Sequence, residues 1–314
     1  MMPDHNARGD RSSAGSFLAT FAVVLLAIVV LFLADTFLAR LDLSENLAEA
    51  RQLYEEGSRL AAQGRFDDAV KSFRAATADA RENRDYQLAL ARALTKQGRH
   101  QEAEELLRDL LGRDANDGAF NLSMARLYTR EGRGVEAAAY FHRAIYGQWR
   151  APSGPRDFDS WAGERTPLAA RFELTGLLAQ TKNYKALLAE LLPLQDEAPK
   201  DFATEKRIAK LYLTAGSPGR AEAMYREMLR ASPDAPHDVE IGTALADAEF
   251  AQGAYSKAEA DYQAAVNIQD TPAVHQRLEL CTQIVALDPT QRGIGVKERY
   301  ARSRSLMEAA LQRF

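Results

Sequence analysis

An all-α solenoid of paired helices, preceded by one membrane-crossing helix, is the fold class that three observations predict. Gly64, Gly98 and Gly132 recur at a constant interval of 34, and so do Ala69, Ala103 and Ala137. Between them, apolar residues return at every third or fourth position, as a buried helical face requires. Ahead of the repeats, Phe17 to Leu38 form a run in which Thr20 is the only polar residue before Ala34.

Each repeat resolves into two amphipathic helices and a short turn. In the first, EARQLYEEGSRLAAQ is the leading helix, GRF the turn and DDAVKSFRAATADA the second helix. Gly64, Gly98 and Gly132 can end the leading helix in a left-handed conformation without steric cost. Gly57, Ala91, Ala125, Thr175, Ala209 and Ala246 form a column of small residues that lets the two helices approach. A second column, Ala69, Ala103, Ala137, Leu187, Ala221 and Ala258, is small except at Leu187. Phe73, Leu107, Phe141, Leu191, Tyr225 and Tyr262 form a larger column that fills the space between repeats.

These columns and their constant interval resemble the tetratricopeptide repeat family, in its membrane-anchored bacterial form. Six repeats are read, at 50–83, 84–117, 118–151, 168–201, 202–235 and 239–272. The resemblance implies a right-handed superhelix with an extended concave surface, lined by the first helix of each repeat. Two departures stand out. The column Leu60, Leu94, Tyr128, Leu178, Tyr212 meets Glu249 in the sixth repeat, with Phe250 displaced by one. The closing proline, present as Pro199 and Pro233, is replaced by Ala115 and Trp149 in repeats two and three. Residues 273–314 read as one further helix pair. Asp288-Pro289 breaks its first helix. Its last helix, with Lys297, Arg299, Arg302, Arg304 and Arg313, forms a polar cap.

The N-terminal segment divides into a disordered tail, 1–16, and the apolar span, 17–38. At about 1.5 Å per residue the span reaches about 33 Å, enough to cross a hydrocarbon core. A cleaved signal peptide would carry a shorter apolar region and a small-residue site, and Phe37-Leu38-Ala39 is a poor one. The expectation is therefore an uncleaved anchor, followed by a linker at 39–49. Arg8 and Arg11 precede the span and Arg40 and Arg51 follow it, so the positive-inside rule barely discriminates. The default is a short tail inside and the repeat domain outside a bacterial inner membrane.

One segment breaks the period. Corresponding positions Ala137 and Leu187 are 50 apart instead of 34, so the chain carries an insertion of 16 at 152–167. The stretch around it, AIYGQWRAPSGPRDFDSWAGERTP, holds both tryptophans. Pro152, Gly154 and Pro155 stop any helix, and Pro167 marks the start of the next. Two roles stay open for Trp149, Phe158 and Trp161. They form a plug over the edge between repeats three and four, or they are partner contacts beside Arg150, Arg156 and Arg165.

Little in the chain suggests catalysis. The five histidines are not paired at ligand spacing, and no HExxH, nucleophile elbow or phosphate loop occurs. The single cysteine, Cys281, reads as a small buried residue. The expectation is no enzyme, no cofactor, no metal and no small-molecule substrate. A net charge of −4 argues against nucleic acid.

The informative positions lie on the first helices. Arg92 and Lys96, Arg126 and Arg130, and Lys206 and Lys210 are pairs four apart, each on one helical face. Such cations in a groove would attract a protein partner with acidic segments. Chaperone-binding members of the family use asparagines on these faces. Ser123, Arg126 and Gly176 stand there instead, so that specificity is not carried over. The functional expectation is a membrane-anchored scaffold or adaptor that recognises a partner segment and assembles a membrane or envelope complex. The alternative is a constitutive structural subunit of such a complex.

Overall fold

The computed structural model describes the backbone of residues 11–150, 166–231, 238–287 and 295–311; within its helices the side chains of 11–20, 22–24, 27, 38–44 and 309–311 lie outside the description. Residues 1–10 of the tail read at 1–16, residues 152–165 of the insertion read at 152–167, with Phe158 and Trp161, and Asp288-Pro289 are therefore outside the described residues, while 11–16 are helical in α1. The described residues are helical throughout, apart from turns and one isolated backbone bridge. They fall into two compact units, one of residues 1–115 with 150–164 and one of residues 116–149 with 165–314.

In the first unit, α1 (Arg11–Ala62) is a single helix of 52 residues. Its last turns are the leading helix of repeat one, and the segment 39–49, read as a linker, is helical within it. It packs on α2 (Phe66–Asp79), and α3 (Arg84–Gln97) and α4 (His100–Arg113) continue the stack. The small column has a direct cause here. A Cβ on Gly57 would lie 2.8 Å from the Phe73 ring, closer than any packed contact allows. Asn83 starts α3 by accepting from the backbone N–H groups of Asp85 and Tyr86. Tyr54 stacks on Tyr86 at 4.6 Å, linking repeats one and two.

The second unit runs through α5 (Gly118–Arg130), α6 (Gly134–Ile145), α7 (Pro167–Gln180) and α8 (Tyr184–Glu197). It continues through α9 (Phe202–Thr214), α10 (Pro218–Ala231), α11 (Val239–Ala251) and α12 (Tyr255–Ile268). The final pair is α13 (Pro272–Val285) and α14 (Val296–Leu311). Consecutive helices pack from α5 to α13, including α6 on α7, so the insertion leaves the contact between repeats three and four direct. Thr166 caps α7 with Pro167 as its first residue, where a missing N–H costs nothing.

All members of the three sequence columns are buried across both units. Repeat turns use a left-handed residue: Gly64, Gly98, Gly132, Gly216 and Gly253, and in repeat four Lys182 at φ 56°. Ala246, Tyr262, Val274 and Cys281 join α11, α12 and α13 in one cluster. The tail thus docks on repeat six through α13, while Val296, Tyr300 and Met307 of α14 face solvent.

Among the described residues no helix is long and apolar enough to cross a membrane. Part of the run at 17–38, namely 17–20, 22–24, 27 and 38, has side chains outside the description. The described apolar residues of that run, Phe21, Leu31 and Phe32 among them, are exposed.

Candidate partner-binding surface

In the first helices the small residues face inward; α3 and α5 are buried along most of their length, whereas α9 keeps an open stripe. Arg92 and Lys96 belong to the first compact unit and the other four candidate cations to the second. Arg92 is only 6% exposed, so it belongs to the interior of repeat two, whereas Lys96 is exposed.

In the second unit, half of the candidate charge is taken up within the stack. Arg126 of α5 grips Glu173 of α7 in a fork, with Nε at 2.9 Å and Nη2 at 2.5 Å. Lys206 of α9 meets Asp238 at 3.0 Å and Glu240 at 2.7 Å, both at the start of α11. Burial pulls the Lys206 ammonium down, but hydrogen bonds to Glu240 and Asp238 outweigh it and raise its pKa. Arg277 of α13 pairs with Asp247 of α11 at 2.9 Å. Each of these joins one first helix to the next, so these cations stitch repeats together.

Arg130 and Lys210 are different. Both are exposed, and neither meets a carboxylate among the described residues. Arg207, which the sequence reading passed over, joins them. It too is exposed, and its guanidinium lies 4.4 Å from the Phe172 ring of α7, cation over aromatic face. A signal was available: Ala203, Arg207, Lys210 and Thr214 are spaced four, three and four apart, one stripe of α9, and all four are exposed.

Trp149 closes repeat three on itself. Its indole Nε1 donates to the Ala144 carbonyl at 2.9 Å, and its ring covers Gly118, where a Cβ would come within 2.4 Å. The preceding residue is held too, because Gln148 N–H donates to Asn116 O at 2.7 Å and Gly118 N–H to Gln148 O at 2.9 Å. The aromatic ring thus stands where other repeats carry the closing proline, and it fastens the turn after α6 to the start of α5.

Across the junction with repeat four, Arg171 is buried. It binds Glu190 at 2.8 Å and Glu197 at 3.2 Å, beneath the Tyr146 ring. His142 Nδ1 stands 3.7 Å from the same Glu190.

Glu249 takes up the large apolar position of repeat six with 1% exposure. One oxygen accepts from Arg226 Nη2 at 2.6 Å, and Oε2 has no hydrogen-bond partner among the described residues. Burial, reinforced by the Asp261 carboxylate, pushes the Glu249 carboxyl up to about 7 against the pull of Arg226. Phe250, one position on, packs edge-on against Tyr255 at 5.1 Å.

Chemistry of other kinds has little foothold. No group of three His, Cys, Asp or Glu side chains among the described residues could hold a metal ion. Burial raises the Cys281 thiol to about 11, far from a reactive thiolate. A cavity of about 380 Å³ lies where α8, α9 and α10 meet, lined by Ile208 and Met224 with Lys200, Glu205 and Glu227.

Comparison with known proteins agrees with this architecture. One tetratricopeptide repeat model matches residues 54–119 and 206–273, and a second matches 94–146, together just over half of the chain. No curated protein matches significantly in sequence. Solved structures do. A tetratricopeptide repeat protein from Parabacteroides merdae aligns at 16% identity and TM-score 0.47, over 83% of this chain and 99% of that one. YrrB, described as a tetratricopeptide repeat protein with an unusual peptide-binding site, aligns at 14% identity and TM-score 0.50, over 67% and 98%. The Naa15/Naa10 complex bound to HypK aligns at 15% identity and TM-score 0.50, over 82% of this chain and 39% of that chain. At such identities the likeness concerns the fold. With its spacing, its buried columns and the repeat models matched over half of its length, the chain belongs to the tetratricopeptide repeat family.

Proposed function

We propose that this chain is a membrane-anchored scaffold or adaptor. It holds an acidic segment of a protein partner on the first helices of its repeats and so helps assemble a membrane or envelope complex. The observation that carries the binding part is the set of exposed cations, Arg130, Arg207 and Lys210, that the stack leaves without carboxylates while it neutralises Arg126 and Lys206. An extended acidic segment would supply the missing carboxylates, and its affinity would fall with salt. The peptide-binding site named for YrrB, a protein of the same fold, is consistent with this reading.

The anchor part rests on the apolar run 17–38 in the sequence. Continuity of α1 through 39–49 supports a short, stiff connection between span and repeats rather than a tether. The repeat domain is proposed to lie on the extracytoplasmic side of a bacterial inner membrane. Holding it there raises the local concentration of membrane partners.

The test uses the full chain in mild detergent against an immobilised peptide library graded in acidity. Wild type should enrich acidic peptides at low salt. The triple variant Arg130→Glu, Arg207→Glu, Lys210→Glu should lose that enrichment with its helicity unchanged. Equal capture by both proteins, insensitive to salt, would remove the cations from any site.

A further inference from the structure

In repeats two, three, five and six the position directly after the small column carries a charged side chain: Arg92, Arg126, Lys210 and Asp247. In repeat four it is Gly176, in the interior of α7. Glycine is the least favourable residue for a helix interior after proline. Gly57 and Gly118 are needed because a ring stands where a Cβ would be, and Gly98 because its φ is left-handed. Neither reason applies to Gly176. It is helical and exposed, and no described neighbour lies within 4 Å of where its Cβ would stand. The fold does not require this glycine, yet it leaves the α7 backbone bare.

The bare backbone has a charged border. α7 lies between α5 and α9 and touches both. The side chains one turn before Gly176 are already engaged: Glu173 is held by Arg126 at 2.5 Å, and Phe172 lies under the Arg207 guanidinium at 4.4 Å. Exposed cations that meet no carboxylate among the described residues stand on either side, Arg130 on α5 and Arg207 and Lys210 on α9. All of these residues belong to one compact unit.

Packed helices stand about 8–10 Å apart, so Arg130 and Lys210, two helices apart, are separated by about 16–20 Å. An extended chain rises about 3.3 Å per residue and covers that distance in about five to six residues. A glycine floor lets two main chains come into contact where a Cβ would hold them apart.

We infer that Gly176 is the point where the partner's main chain crosses α7: an extended acidic segment lies over α5, α7 and α9, with one carboxylate on Arg130 and another on Arg207 and Lys210. This rests on the acidic partner proposed above and adds its path and its spacing, carboxylates about five to six residues apart.

The experiment uses the full chain in mild detergent and immobilised peptides with two Glu-Glu pairs, separated by Gly-Ser spacers of about two, five or ten residues. Wild type should retain the middle spacing best. Gly176→Ala, Gly176→Leu and Gly176→Trp place side chains in open space, so the melting temperature should hold or rise. Retention of the middle peptide should fall with side-chain size, by roughly tenfold or more at tryptophan. Equal retention by wild type and Gly176→Trp, with the triple charge variant inactive, overturns the crossing and leaves the acidic reading standing. Retention lost in Gly176→Trp but intact in the charge variant sinks the acidic reading and keeps the crossing. Retention that ignores both sets of changes, or is absent in wild type, removes both. A melting temperature that falls together with retention in Gly176→Ala and Gly176→Leu also overturns the inference, because the glycine is then a packing requirement. So does retention with no preference among the spacers.

Discussion

Replacing Glu249 by leucine should make this protein more stable and less sensitive to pH. The other repeats hold Leu or Tyr at this position, and Glu249 is buried to 1% exposure with one oxygen unsatisfied. Removing a buried charge usually orphans its partner, but here it does not. Arg226 is 38% exposed and keeps Glu222 at 2.7 Å. Exchange of a buried ionic group for an apolar one of similar size stabilises by about 1–4 kcal/mol, and a half-exposed partner places this case near the lower end, about 1–2 kcal/mol. The pH sign follows from the direction of the shift. The Glu249 carboxyl sits at about 7 in the fold against an ordinary value of 4.5. The folded state therefore holds the proton more tightly. This contribution to stability is fully present below about 4.5 and is lost as pH rises to about 7. Urea unfolding, read by hydrogen exchange over α11 and α12 at pH 5 and pH 8, measures both effects. Wild type should weaken between the two pH values, Glu249→Gln should flatten that slope, and Glu249→Leu should raise the midpoint at pH 8. A slope unchanged in Glu249→Gln, or a leucine variant less stable than wild type at pH 8, would falsify the account.

Three further outcomes can be measured on the same preparation. Gly118→Ala places a methyl 2.4 Å from the Trp149 indole, so the ring must leave and its bond to Ala144 with it. A loss of about 2–3 kcal/mol and a change in tryptophan emission are expected. Arg171→Met leaves Glu190 buried without its guanidinium and should cost about 3–5 kcal/mol. Adding Glu190→Gln should recover much of it. Lys182→Gly relieves the left-handed strain at φ 56° but adds freedom to the unfolded chain, for a net gain of about 0.5 kcal/mol, seen as a small rise in melting temperature.

What the sequence alone determined is the part of the protein that repeats. Gly57, Ala91 and Ala125 are legible as close-approach points because helix packing imposes the same steric demand in every repeat. Phe73, Leu107 and Phe141 are legible because the next repeat makes the same demand for volume. Even the length of the insertion could be counted, since a break in a regular period has a definite size. Tertiary structure decided everything that depends on a particular neighbour. Arg126 and Arg130 look alike in sequence, but only Arg126 finds Glu173, on the first helix beyond the insertion. Lys206 and Lys210 divide in the same way at the start of α11. Trp149 reads equally as an edge plug or a partner contact until its indole is seen to fold back on Gly118. Glu249 reads as a lapse in a column, and only its burial beside Arg226 and Asp261 makes it a titrating group near neutral pH. Periodicity records the forces common to all repeats. Charge pairing and desolvation act between individual side chains, whose distances are set only when the chain is stacked.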